Sequence, residues 1–137
     1  TDTTLTIPST SERVITVGAY DSVNISTVGF SGRGYTRATE YIKPDLVAPG
    51  VNILTTTVGG SVSSFTGTSA AAPFVSGSVA LLMEWGIVDR NDIFLYGERL
   101  KAFLCNGAIR DNSREYPNRE WGYGRLCLKN TLDLLKK

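Results

Sequence analysis

Ser69 stands in the stretch Gly67-Thr-Ser-Ala-Ala-Ala-Pro73, where a loop rich in Ser, Thr and Gly gives way to an apolar run with helical spacing. A serine at the start of a helix has two chemical advantages. Its Oγ projects from a fixed backbone, and its own N–H joins the unsatisfied donors of the helix N-terminus. Those donors carry partial positive charge and favour the oxyanion that forms when a carbonyl is attacked. Gly67 and Thr68 would shape the nucleophile loop, Gly67 by letting a substrate backbone come close. Phe65, Thr66 and Ala70 would neighbour the substrate cleft, and Ala70 to Ala72 leave space around the hydroxyl. Two plainer readings compete: a simple helix cap, and an anion nest that holds phosphate. Against the nest, no Lys or Arg lies between Lys43 and Arg90.

The 137 residues include no histidine. A serine hydroxyl is a weak nucleophile until a base takes its proton, and imidazole is the usual base near neutral pH. Any serine chemistry here must borrow its base from residues outside this chain.

The elements that must hold Ser69 are readable from pattern. Residues 1–11, rich in Thr and Ser, read as a loop. Arg13 to Tyr20 is β-branched and apolar and reads as a buried strand closed by Asp21-Ser22. Ser31-Gly-Arg-Gly34 is a tight turn, and Asp45 to Gly50 a short strand ended by Pro-Gly. Val51 to Thr57 and Ser63 to Thr66 pair as a hairpin across Gly59-Gly60. Ala70 to Trp85 follows as a helix with Val75, Val79, Leu82 and Met83 at helical spacing and small residues between them, a mix suited to burial on most sides. Thr66 or Thr68 is expected to cap it, with Pro73 near the first turn. A second helix lies within Asn91 to Asn106, with Leu100, Phe103 and Leu104 inward and Gly107 as its stop. A third runs from about Cys127 to Leu135, with Leu128, Leu132 and Leu135 on one side. Strands followed by a buried helix and two more helices give an α/β reading.

Four ordered pieces of the chain carry a resemblance. Gly67-Thr-Ser-Ala-Ala-Ala-Pro73 resembles the Gly-Thr-Ser-x-Ala-x-Pro signature around the nucleophile of the subtilases. Val14-Ile-Thr-Val-Gly-Ala19 is similar to that family's strand ending Val-Gly-Ala. Phe30-Ser-Gly-Arg-Gly34 followed by Lys43-Pro-Asp-Leu-Val-Ala-Pro-Gly50 looks like the segment leading to its Ala-Pro-Gly turn. Gly122-Tyr-Gly124 resembles the Gly-x-Gly before its last helix, and Tyr116 to Gly124 looks like a clostridial-type branch that includes germination proteases.

The resemblance implies the C-terminal portion of a subtilisin-like three-layer α/β fold, a parallel sheet with a central buried helix, incomplete as given. Residues 1–137 would then be one piece of a peptidase domain whose N-terminal part is missing. It further implies that Ser69 attacks the scissile carbonyl with its N–H on one side of the oxyanion hole, while the Asp, His and oxyanion-hole Asn belong to earlier segments. The implied activity is serine endopeptidase, with peptide or protein as substrate and a fragment that is inactive alone. The alternative is a pseudoprotease that binds or regulates. No cofactor is required. Family members can hold a cation at a carboxylate in the position of Asp45, but its usual acidic neighbour is replaced by Lys43, so structural calcium in the longer protein gains no support from this chain. Ala70 and Phe74 replace the Met and His that many subtilases carry, implying altered packing beside the primed side of the cleft. Secretion, or attachment to a cell or spore surface, is implied by family only.

Bulk properties exclude little else. Lys plus Arg (14) nearly balances Asp plus Glu (13), so the net charge of +1 gives no general attraction to nucleic acid or acidic membranes. No apolar run is expected to approach membrane-spanning length. Cys105 and Cys127 read as buried thiols, with one bridge between them left open. Trp85 and Trp121 read as core or helix-end packing, and Arg110, Arg114 and Arg119 as a solvated loop. An incomplete sheet should expose an edge and apolar surface, so self-association is expected.

Overall fold

The computed structural model describes residues 2–37 and 39–137. Strand β1 (Val17–Asp21) is the middle of a three-stranded sheet. It pairs antiparallel with β2 (Ser26–Thr27), Tyr20 opposite Thr27. Two short strands, β3 (Gly34–Tyr35) and β4 (Ile42–Lys43), pair with each other. On its other edge β1 runs parallel to β5 (Leu46–Pro49), from Val17 opposite Leu46 to Tyr20 opposite Pro49. The expected hairpin forms as β6 (Ile53–Thr56) and β7 (Val62–Phe65), with Ile53 opposite Phe65.

Regular pairing starts at Val17 rather than at Arg13. The preceding backbone is engaged by side chains instead: the Thr16 N–H donates to Asp45 Oδ2 at 2.7 Å, and the Val14 carbonyl accepts from Lys43 and Lys101. A further strand-like segment has no counterpart in the sequence reading. Arg125 bridges Val47 in parallel and Ile109 antiparallel, with the Leu126 N–H donating to Val47 at 2.9 Å, so residues 124–126 extend the sheet beyond β5.

Helix α1 (Thr68–Met83) continues through a π-helical turn, Glu84–Val88. It packs on β1 and β5 through Ala71, Val75, Ser78 and Leu82, each about one turn from the next. Burial on most sides is not what the structure shows. Ala72, Pro73, Phe74, Ser76, Gly77, Ala80 and Leu81 are exposed, because the described residues place a layer against one face of the helix only. Thr68–Val88 is also long and apolar enough by length and composition to cross a membrane, at 21 residues and mean hydropathy 1.5, which corrects the expectation that no segment approaches that length. Its Val, Leu, Ile and Phe residues raise the mean, and its buried stripe rests on the sheet.

Helix α2 (Gly97–Gly107) begins after an extended Tyr96 and packs against α3 (Leu128–Leu135). Gly107 ends α2, but what demands glycine there is closeness. A Cβ at this position would lie 2.4 Å from Thr131 Oγ1 and 2.7 Å from Thr131 N. Leu46, Ala48, Val75, Leu82, Leu100 and Leu104 belong to one core, against which Leu128, Leu132, Leu135 and Trp85 pack. The opposite face of the sheet, with Tyr20 and Val47, is covered by Trp121. Gly122 has φ +55°, and a Cβ there would fall 2.2 Å from the Pro44 carbonyl, so the Gly-x-Gly lets two backbones touch.

Two expectations shift in detail and one holds. Cys105 is buried, whereas Cys127, just ahead of α3, is only partly so; both are free thiols. The three arginines are engaged rather than merely solvated. Arg110 donates to the carbonyls of Tyr123 and Cys105, both at 2.8 Å, Arg114 pairs with Asp111 and stacks over Trp121, and Arg119 pairs with Asp2. Residues 2–11 are irregular, as expected for a loop.

Candidate active site

Ser69 is the second residue of α1 and its side chain is exposed. A relay of backbone hydrogen bonds sets its position from the sheet outward. The Gly50 N–H donates to the Tyr20 carbonyl at 3.0 Å, and the Gly67 N–H donates to the Gly50 carbonyl at 2.9 Å. Gly50 has to be glycine for this contact, since a Cβ would sit 2.6 Å from the Ala19 Cβ. The start of α1 is thereby held at the carboxyl end of the parallel pair β1–β5, the end at which open α/β sheets offer their binding crevices.

The helix start carries no side-chain cap. Thr66 does not act as one, because its Oγ1 already accepts from the Asn52 N–H at 2.9 Å and so ties the loop to the hairpin. Thr68 lies inside the helix as its first residue, and Gly67, in extended conformation, precedes it. Uncapped first-turn amides and the absence of an acidic residue in that turn leave the partial positive charge of the helix end unneutralised.

Two cavities flank this start. Ser69 and Ala70 line one of about 320 Å³, closed by Ile53, Leu54, Thr55, Phe65, Pro73 and Phe74. Thr68 lines another of about 590 Å³, walled by Thr4 to Thr6, Ser9, Thr16, Val17 and Gly29 to Arg33. Thus Gly67, Thr68, Ser69, Ala70 and Phe65 meet around one helix end, while Thr66 turns into the hairpin. The N-terminal loop carries no motif in the sequence, whereas Ser31 to Arg33 belong to the turn and to the Phe30–Gly34 piece that the sequence marks. Only chain folding brings the two segments together at Thr68. Ile53 and Leu54 read simply as strand residues.

Chemically, the arrangement offers a hydroxyl and polarised amides beside an apolar wall. No side chain lining the Ser69 cavity titrates, so no base reaches the hydroxyl from there.

Comparison with known proteins places these features in context. The sequence profile of the subtilase family matches residues 1–124. The chain is 30% identical to the serine protease AprX of Bacillus subtilis, over 94% of this chain and 32% of AprX. It is 33% identical to the minor extracellular protease Vpr of the same organism, over 75% of this chain and 13% of Vpr. The solved structure of the CspB protease of Clostridium perfringens superposes with a TM-score of 0.94 at 52% identity, covering 98% of this chain and 29% of that one. The chain therefore spans about a third or less of the length of each, and the clostridial resemblance of its C-terminal region has a solved counterpart.

Proposed function

We propose, since this chain belongs to the subtilase family, that it is the nucleophile-bearing, C-terminal part of a serine endopeptidase domain and that Ser69 attacks the scissile carbonyl of a peptide. The observation that carries this reading is the placement of Ser69 on an uncapped helix end at the carboxyl edge of the parallel strands. In the reaction, Ser69 Oγ bonds to the carbonyl carbon and gives its proton to a base supplied from outside this chain. The Ser69 N–H, with the positive end of α1 behind it, holds the oxyanion. Gly67 and Thr68 shape the loop, and the cavities beside Thr68 and Ser69 accept side chains on either side of the bond being cut.

The same reading accounts for the bare face of α1. Phe74 and Leu81 are 42% and 54% exposed, and Leu54 and Val62 of the hairpin 75% and 64%. The rest of the peptidase domain covers this surface in the longer protein. The 137-residue chain alone self-associates and hydrolyses nothing, because its serine has no base. The longer protease acts outside the cytoplasm, in keeping with the family resemblance.

A fluorophosphonate probe tests the assignment. Labelling of the longer protein that disappears in Ser69→Ala is the expected result. Absence of labelling in a folded protein that is free of any blocking segment would overturn the peptidase reading in favour of a binding protein with a subtilase fold.

A further inference from the structure

We infer that Lys43 and Lys101 serve as covalently tethered cations inside an oxygen cage, so that this part of the fold holds together without a metal ion. The inference is independent of the peptidase reading, because it concerns residues remote in sequence from Ser69 and a different property of the molecule.

The cage is built from four oxygens. Both carboxylate oxygens of Asp45 and the carbonyls of Glu12 and Val14 converge on two ammonium nitrogens. Lys101 Nζ donates to the carbonyls of Glu12 at 2.6 Å and Val14 at 3.0 Å and forms an ion pair with Asp45 Oδ1 at 2.8 Å. An ammonium has three donors and no acceptor, so Lys101 can face all three oxygens at once. Lys43 Nζ donates to Asp45 Oδ2 at 2.8 Å and to Val14 at 3.1 Å. The same Asp45 oxygen accepts from the Thr16 N–H at 2.7 Å. Lys43 and Asp45 are 2% and 4% exposed, so their ion pair is shielded from water, while Lys101 closes the cage from its outer, partly exposed side.

Convergent carbonyl and carboxylate oxygens are the ligands that hard cations such as calcium take. Subtilases can hold such a cation at the position of Asp45, and the residues present here do not fit one. A metal ion entering the cage would meet two ammonium charges, and each of the four oxygens already lies within 3.1 Å of one of them. The surplus positive charge, two ammoniums against one carboxylate, does not call for a bound anion either, because Glu12, Glu40 and Glu98 line the same cavity.

The placement explains what the cage does. Lys43 closes β4, Asp45 leads into β5, Lys101 lies on α2, and Glu12 to Thr16 lead into β1. One ion cluster thus ties β4 and α2 to the amino-terminal ends of the parallel pair β1–β5. A metal ion in this role is lost to a chelator, whereas a lysine cannot leave.

The test combines thermal unfolding in calcium or in EDTA with paramagnetic broadening, which localises any metal. In the wild-type protein, manganese(II), used as a stand-in for calcium, leaves the amide signals of Val14, Thr16 and Asp45 sharp. Broadening of these signals would overturn the inference. Lys43→Ala/Lys101→Ala, which removes both ammoniums, lowers Tm by about 10 °C. Calcium restores part of that loss, and manganese then broadens the same three amides. A double variant as stable as the wild type would also overturn it. Should that variant fail to fold, Lys101→Met decides, since it keeps the apolar stem and removes only the charge. A lowered Tm supports the tethered cation, and an unchanged Tm refutes it.

Discussion

Two polar regions of this chain are treated by the fold in opposite ways. Around Asp45, charge is buried and each oxygen of the cage faces an ammonium group. At the start of α1, the hydroxyl of Ser69 is left in the open and the helix end has no side-chain cap. A polar group satisfied inside the protein contributes to holding it together and offers nothing to a visitor. A polar group left unmatched at a cavity contributes little to stability and keeps its hydrogen-bonding capacity for a ligand. The contrast separates scaffold from site without reference to any relative.

That contrast can be broken by experiment, with effects that should fall in a definite order. Ser69→Ala should abolish probe labelling while changing stability by less than about 0.5 kcal/mol, as expected for an exposed side chain; a large loss of stability would show that Ser69 belongs to the scaffold. Asp45→Ala does the reverse. It leaves two ammonium groups without their counter-charge, so urea unfolding should show a loss of about 3–5 kcal/mol. Gly107→Ala sharpens the scaffold side at a site without charge. The new methyl must displace Thr131, at a cost of about 1–3 kcal/mol by the same measurement.

The smallest effect concerns Cys105, which lies near the same buried charges. Burial, and secondly the Asp45 carboxylate, push its thiol up to about 11 from an ordinary value of 9.0. In the folded protein the thiol therefore keeps its proton where the unfolded chain would lose it. Its contribution to stability is present below pH 9 and falls as pH rises from there towards 11. A thiol reagent at pH 8, followed by mass spectrometry, should modify the partly exposed Cys127 first and reach Cys105 slowly. Rapid labelling of Cys105 would contradict the burial that the cluster depends on.

Much of the site was legible because its determinants are local. The apolar run of β1, the glycine pair of the hairpin and the small-residue helix after Ser69 each announce themselves within a few residues. The helix cap was misjudged because Thr66 is claimed by Asn52, a competition that local sequence does not display. The strand-like residues 124–126 escaped notice for a related reason: they alternate no apolar pattern and exist as a strand only because Val47 and Ile109 bracket them. Lys43 and Lys101 look like surface residues by type. Only the meeting of β4, α2 and the segment before β1 makes them internal. The exposed side of α1 was hidden by its composition, since a helix rich in alanine, glycine and serine reads the same whether its neighbours are present or not.

The bracketing of residues 124–126 also has a consequence in time. Strand β5, whose end leads directly to the Gly50 contact beneath Ser69, gains its neighbour on that side from a segment lying far along the chain. A ribosome delivers residues in order, at roughly 5–20 per second. For the seconds that separate Val47 from Leu126, the nascent sheet waits with one edge of β5 unpaired, the kind of edge that recruits other strands. The helix bearing Ser69 is synthesised before the sheet beneath it is complete, so the position of the nucleophile becomes final only late in the birth of this part of the chain.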